Sequence, residues 1–178
     1  MPGGYESLLA IARDSDPGRG LVVISDLRRM SLPPAITEET MIIGDRLLLV
    51  GRPLTGYLRA AGAIDIVTAV KERPVVLYAW VPEDRFSIVS AKRLGKLAPS
   101  AVMLGVCLAT DPTVGQTTAQ REKLPGIQYY DIRGPGSPLA VSLSLNRASL
   151  VYLIDRAGQI VDVNGLVDTG AKLSRAIR

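Results

Sequence analysis

The chain has 178 residues, no histidine and a single cysteine, Cys107. Without histidine there is no Ser-His-Asp or Cys-His catalysis, no HExxH metal chemistry and no imidazole acid–base work. With one thiol there is no disulfide within the chain and no cysteine-based zinc site. Aromatic residues make up 4%, with one Trp and one Phe, so stacking surfaces for bases are scarce. No uncharged apolar run reaches the ~18 residues of a transmembrane helix. The start, Met1-Pro2-Gly3-Gly4-Tyr5-Glu6, lacks the basic end and apolar run of a secretory signal. The expectation is a soluble domain, cytoplasmic, or extracytoplasmic if excised from a longer chain.

What is present is a packed composition: 47% apolar, 21% charged, net charge +4. A chain of this size buries roughly two thirds of its unfolded surface. The basic residues are scattered, and their densest cluster is Lys92-Arg93 with Lys96. A nucleic-acid face needs clustered cations with aromatics among them, so RNA or DNA is not an expected partner. Gly134-Pro135-Gly136 lacks the strand–glycine–helix setting of a nucleotide loop, and no cofactor is implied.

Residues 5–13 read as a short helix and Leu21–Ser25 as a strand. Thr40–Ile43 and Arg46–Val50 flank Gly44-Asp45 as the arms of a hairpin. Ile64–Lys71 fits a short strand or one helical turn. From residue 74 the pattern is regular. Pro74–Trp80 is an apolar strand. Asp84 suits the cap of a helix over Arg85–Leu97, with Phe86, Val89, Leu94 and Leu97 at helical spacing and cations at its end. Val102–Leu108 is a second apolar strand, Val114–Lys123 a helix, Ile127–Ile132 a short strand and Leu139–Leu145 helical. Leu150–Ile154 and Gln159–Val163 form a hairpin around Asp155-Arg156-Ala157-Gly158, and Thr169–Ile177 is a last helix. Apolar strands alternating with helices imply an α/β fold whose central mixed sheet is covered on both faces.

Two segments carry a resemblance: Arg73-Pro74-Val75-Val76-Leu77-Tyr78-Ala79-Trp80, and Val151-Tyr152-Leu153-Ile154-Asp155-Arg156-Ala157-Gly158-Gln159-Ile160-Val161. In this order and separation they resemble the thioredoxin-like fold in its redoxin and thiol–disulfide oxidoreductase branch. The resemblance covers roughly residues 50–178. It implies a thioredoxin-like domain over 51–178, with residues 1–50 as an extension (helix plus β-hairpin) packing on the core. In that family the junction after the first segment carries Cys-x-x-Cys; here it carries Asp84-Arg85-Phe86-Ser87. The resemblance puts Asp84 and Ser87 at the attacking and resolving cysteines and Ser149 at the family's cis-proline. A non-proline cis bond costs about 2.5–4 kcal/mol, so Ser149 is expected to be trans.

The expected function is therefore a redox-inactive, non-catalytic thioredoxin-like domain acting in protein binding, assembly or scaffolding. Its partner would be another protein or a second copy. A ligand-binding protein or non-redox enzyme is the alternative. It would use Trp80, Asp84, Arg85, Ser87, Asn146 and Ser149, with the free N–H groups of the helix start as an anion site. Against it, Asp84 reads more simply as a helix cap, and Arg85 and Ser87 as a solvated first turn. Glu83 and Asp84 are adjacent in a loop and do not make a glycosidase pair. Trp80 and Phe86 read as core or rim packing. Peroxidase-related activity would have only Cys107, which reads as a small buried hydrophobe inside an apolar strand. No metal site is expected.

Overall fold

The computed structural model describes residues 46–163. The expected elements at residues 5–13, 21–25, 40–43 and 169–177 lie outside the described residues. The chain divides into two compact units between Val50 and Gly51. In the first unit the expected strand over Arg46–Val50 is corrected: Arg46 and Leu47 are helical and residues 48–50 are turns. The Leu49 N–H donates to the Arg46 carbonyl at 3.0 Å and the Val50 N–H to that of Leu47 at 3.2 Å. Those local bonds use the groups a hairpin ladder needs.

The second unit begins with two short helices, α1 (Leu54–Ala60) and α2 (Ile64–Val70). Ile66 and Val70 are the buried pair of α2 while Thr68 between them is exposed; a strand would place all three on one face, so the pattern is that of a helix. Then come β1 (Val75–Trp80), α3 (Arg85–Leu97), β2 (Val102–Cys107), α4 (Pro112–Glu122) and β3 (Ile127–Tyr129). A 3-10 turn (Gly134–Gly136), α5 (Pro138–Ser142), β4 (Val151–Ile154) and β5 (Ile160–Asp162) complete the described order.

The five strands form one sheet in the order β3-β2-β1-β4-β5. β1 runs parallel to β2, pairing Val75 with Val102 and Trp80 with Cys107. It runs antiparallel to β4, pairing Val75 with Ile154 and Tyr78 with Val151. The two segments that carry the resemblance are thus hydrogen-bonded neighbours. All six residues of β1 and of β2 are buried, as expected of strands covered on both faces.

The strand alternation sorts side chains onto two faces. Val76, Tyr78, Trp80, Met103, Val151 and Leu153 pack with Ile88, Ala91 and Leu94 of α3 and Ala119 of α4. An ion pair links those helices, Lys92 Nζ to Glu122 Oε2 at 2.8 Å. Leu54 and Leu58 of α1 and Leu139 of α5 are fully buried, and these two helices touch each other. Near α5, the Tyr152 hydroxyl donates to the Leu143 carbonyl at 2.5 Å. β5 is not a bare edge at its start: the Gly51 N–H donates to the Ile160 carbonyl at 2.8 Å, and the Ile160 N–H to that of Arg52 at 3.0 Å.

Candidate functional site

β1 delivers the chain through Val81–Glu83 to the start of α3. Asp84 caps that helix: its Oδ1 accepts from the Phe86 N–H at 2.9 Å. The carboxylate sits at the positive end of the helix, where an anion is favoured. Ser87, one turn in, is 2% exposed, which corrects the expectation of a solvated first turn. Its hydroxyl donates to the Asp84 carbonyl at 2.8 Å and accepts from the Val81 N–H at 3.4 Å. Burial of an uncharged hydroxyl is tolerated because both its donor and acceptor capacities are met.

The inward face of α3 is rotated from the expected one. Ser87, Ile88, Ala91 and Leu94 are buried, whereas Phe86, Val89 and Leu97 are 64%, 55% and 48% exposed. Small residues at 87 and 91 let α3 sit close to the sheet, and the larger apolar side chains face outward. Phe86 therefore stands in solvent beside the cap instead of in core or rim packing. Arg85 is exposed as well. Trp80 is 0% exposed, so its reading as a ligand-stacking residue is corrected. Its indole Nε1 donates to Gln128 Oε1 at 3.0 Å inside the sheet layer.

Ser149 lies across from the end of β1. Its N–H donates to the Ala79 carbonyl at 2.8 Å, and the Ala79 N–H donates to the Leu150 carbonyl at 2.9 Å. Its peptide bond is trans, since the described residues contain no cis bond, and its φ is +66°. Left-handed φ costs a non-glycine residue roughly 1–2 kcal/mol. The Ser149 Oγ is buried with no hydrogen-bond partner. Two local costs thus coincide at one residue. Strain of this kind concentrates at functional positions. Trp80, Asp84, Ser87 and Ser149 are joined through the backbone of Ala79–Val81, whereas Asn146 is exposed on the loop leading to Ser149.

Cys107 ends β2 beside Trp80 and is 2% exposed. Burial pushes its thiol above the usual range, and the Ala109 N–H opposes that only in part. A side chain at Gly115 of α4 would meet the Cys107 Sγ at 2.9 Å and the Tyr130 ring at 3.1 Å. The sulfur is packed under the helix, and a raised pKa with no access makes a poor nucleophile. Among the described residues no group of three or more acidic, Cys or His side chains is placed to hold a metal.

The residue pattern did not point to a polar network inside the sheet. Gln128 Nε2 donates to the Tyr78 hydroxyl at 2.8 Å, and that hydroxyl donates to the Pro125 carbonyl at 2.8 Å. With the Trp80 bond, one amide on β3 ties to two residues of β1 across the intervening β2. Gly105 makes the room, since a β-carbon there would lie 2.8 Å from the Tyr78 oxygen. The available signal was a lone polar residue, Gln128, between Ile127 and Tyr129. Burial raises the Tyr78 phenol well above its ordinary range, so it stays protonated and donates.

No family model matches this chain, and no curated protein matches it. Solved structures do. The C-terminal domain of a protein described as a thiol-disulfide oxidoreductase, from Bacteroides thetaiotaomicron, matches with a TM-score of 0.53 and 19% identity over 60% of this chain and 78% of that one. A thiol-disulfide oxidoreductase from Bacteroides fragilis matches with a TM-score of 0.51 and 21% identity, over 59% of this chain and 82% of that one. The thioredoxin domain of a thiol-disulfide oxidoreductase from Bacteroides vulgatus gives 0.50 and 12%, over 62% and 84%. With the sheet order, these likenesses show that the chain has a thioredoxin-like α/β fold. Among the described residues no helix is long and apolar enough to cross a membrane.

Proposed function

We propose that residues 51–178 are a thioredoxin-like domain that carries out no thiol–disulfide exchange and acts by binding another protein or a second copy of itself. In this reading residues 1–50 are an extension added to that domain. Asp84 and Ser87 stand at the two positions where an exchange enzyme has cysteines, and Ser149 stands at the position of its cis-proline. The supporting observation is the start of α3. Exchange needs a thiolate there that attacks a disulfide sulfur. Instead, a carboxylate is engaged with the Phe86 N–H and a buried hydroxyl is bonded to backbone. The same engagement weighs against an anion at this helix end, because Asp84 already takes the free N–H and supplies the negative charge.

Phe86 supports the binding half of the reading. A large aromatic 64% exposed in the first turn of α3, next to the Asp84 cap, is the kind of anchor that interfaces use. Two measurements test the proposal. The wild-type chain, assayed with insulin and a thiol reductant, is expected to give no rate above background. A photo-crosslinking amino acid at position 86, expressed in the native cell, is expected to join one discrete protein or a second copy, and the same group at Glu72 is not. Turnover of insulin, or crosslinking no different at 86 and 72, would overturn the reading.

A further inference from the structure

At the opposite end of β1 from Asp84 the same unit holds a cavity of about 290 Å³. Val67 of α2, Val75 of β1 and Ile154 of β4 help to form its apolar wall. Three cations line it from three separate segments: Arg59 on α1, Lys71 after α2 and Arg156 in the β4–β5 turn. One acid, Glu72, opposes them, with its carboxylate 3.5 Å from Lys71 Nζ. Those two side chains are 74% and 81% exposed, and an exposed pair of this kind is worth little. No ion pair is formed by Arg59 or Arg156 among the described residues. Glu72 itself is held at a φ of 57°, a conformation that a non-glycine residue adopts at a cost.

Bringing like charges to one opening is unfavourable unless a counter-charge visits it. The apolar wall and the cationic rim together specify a ligand with both parts. We propose that this cavity binds a small amphipathic anion, a carboxylate on an unbranched alkyl chain. The cavity is at the lower end of the volumes that hold small molecules, which limits the chain to about ten carbons. Arg59 and Arg156 take the carboxylate, and guanidinium suits this because its planar fork matches two carboxylate oxygens. This site is independent of the binding reading at Phe86.

The test is calorimetric titration of the full chain with sodium decanoate below its micelle concentration. Acetate and decyltrimethylammonium are the comparison probes. Saturable one-to-one binding of decanoate is expected, at least tenfold tighter than that of either comparison probe. Arg59→Ala with Arg156→Ala changes only exposed side chains and is expected to weaken decanoate at least tenfold, with the circular dichroism spectrum unchanged. Val67→Trp, which fills the cavity, is expected to abolish binding. Absence of saturable binding, equal affinity for the cationic amphiphile, or an unaffected double-arginine variant would overturn the proposal.

Discussion

Two helices start at the same end of the sheet, after adjacent parallel strands, and both are capped by aspartate. At α4 the Asp111 Oδ1 accepts from the Thr113 N–H at 2.8 Å and the Val114 N–H at 3.3 Å, and Pro112 takes the first helical position. At α3 the Asp84 Oδ1 accepts one N–H, that of Phe86, and Ser87 adds its own buried bonds to Asp84 and Val81. The first is an ordinary aspartate cap with proline at its start. The second reaches the same end with two oxygen-bearing residues three apart, which is the spacing of a Cys-x-x-Cys pair. What sets α3 apart is its surroundings: an exposed phenylalanine and, across the end of β1, a serine in left-handed backbone. The comparison shows that carboxylate capping itself is not a sign of chemistry, and that the neighbours of the cap carry the information.

The largest effects on stability are expected away from both helix starts, in the Tyr78–Gln128–Trp80 network. Gln128→Ala leaves a buried indole N–H without its acceptor, and the expected cost is about 1–3 kcal/mol. Gly105→Ala forces the same groups apart, with a cost of about 1–3 kcal/mol. Urea unfolding measures both. Values below about 0.5 kcal/mol would show that the network contributes little beyond packing.

Next come the caps. Asp111→Ala and Asp84→Ala are each expected to cost about 1 kcal/mol, with Asp111→Ala the larger because its carboxylate serves two N–H groups. The reverse order would break the comparison of the two helix starts. Ser149→Gly is expected to stabilise the fold by about 1 kcal/mol, because it removes both the left-handed penalty and a buried hydroxyl without a partner. A lower melting temperature in that variant would contradict the strain assigned to the loop. The substitution does not touch position 86, so crosslinking from 86 that is retained in the Ser149→Gly background would separate the strain from the binding.

Much of this fold was legible in the chain because its central strands are apolar throughout and its breakers are sharp. Pro74 and Asp84 bracket β1 and the start of α3, and α3 spans the expected Arg85–Leu97. The rotation of α3 was not legible: apolar periodicity ranks Phe86, Val89 and Leu97 above Ser87 and Ala91. Close approach to the sheet instead selects the small residues, and the hydroxyl of Ser87 is satisfied by the backbone of Asp84 and Val81. The turn at 46–50 escaped because Gly44-Asp45 between apolar runs is also a hairpin signal. The cavity lined by Arg59, Lys71 and Arg156 escaped because Arg156 is far along the chain from the other two.

The smallest effect concerns a third loop at this end of the sheet. Arg133 grips Asp131 through Nη2 at 2.6 Å and Nε at 2.8 Å, and these bonds hold the Asp131 carboxyl down to about 2. A lowered folded-state pKa means stability that is present above the ordinary carboxylate value and is lost as pH falls toward 2. The difference in unfolding free energy between wild type and Asp131→Asn is therefore expected to be small, constant above about pH 5, and to fade below about pH 4. A difference that grows on acidification would reverse the sign of this linkage.

The most direct measurement restores sulfur at the start of α3. In Asp84→Cys with Ser87→Cys, exposure to glutathione disulfide is expected to form an intramolecular bond between positions 84 and 87, visible by mass after thiol blocking. The reduced variant is expected to reduce insulin where the wild type does not. Absence of that bond in a folded variant, or an equal insulin rate in the wild type, would contradict a thioredoxin-like site that retains its architecture without its reactive atoms.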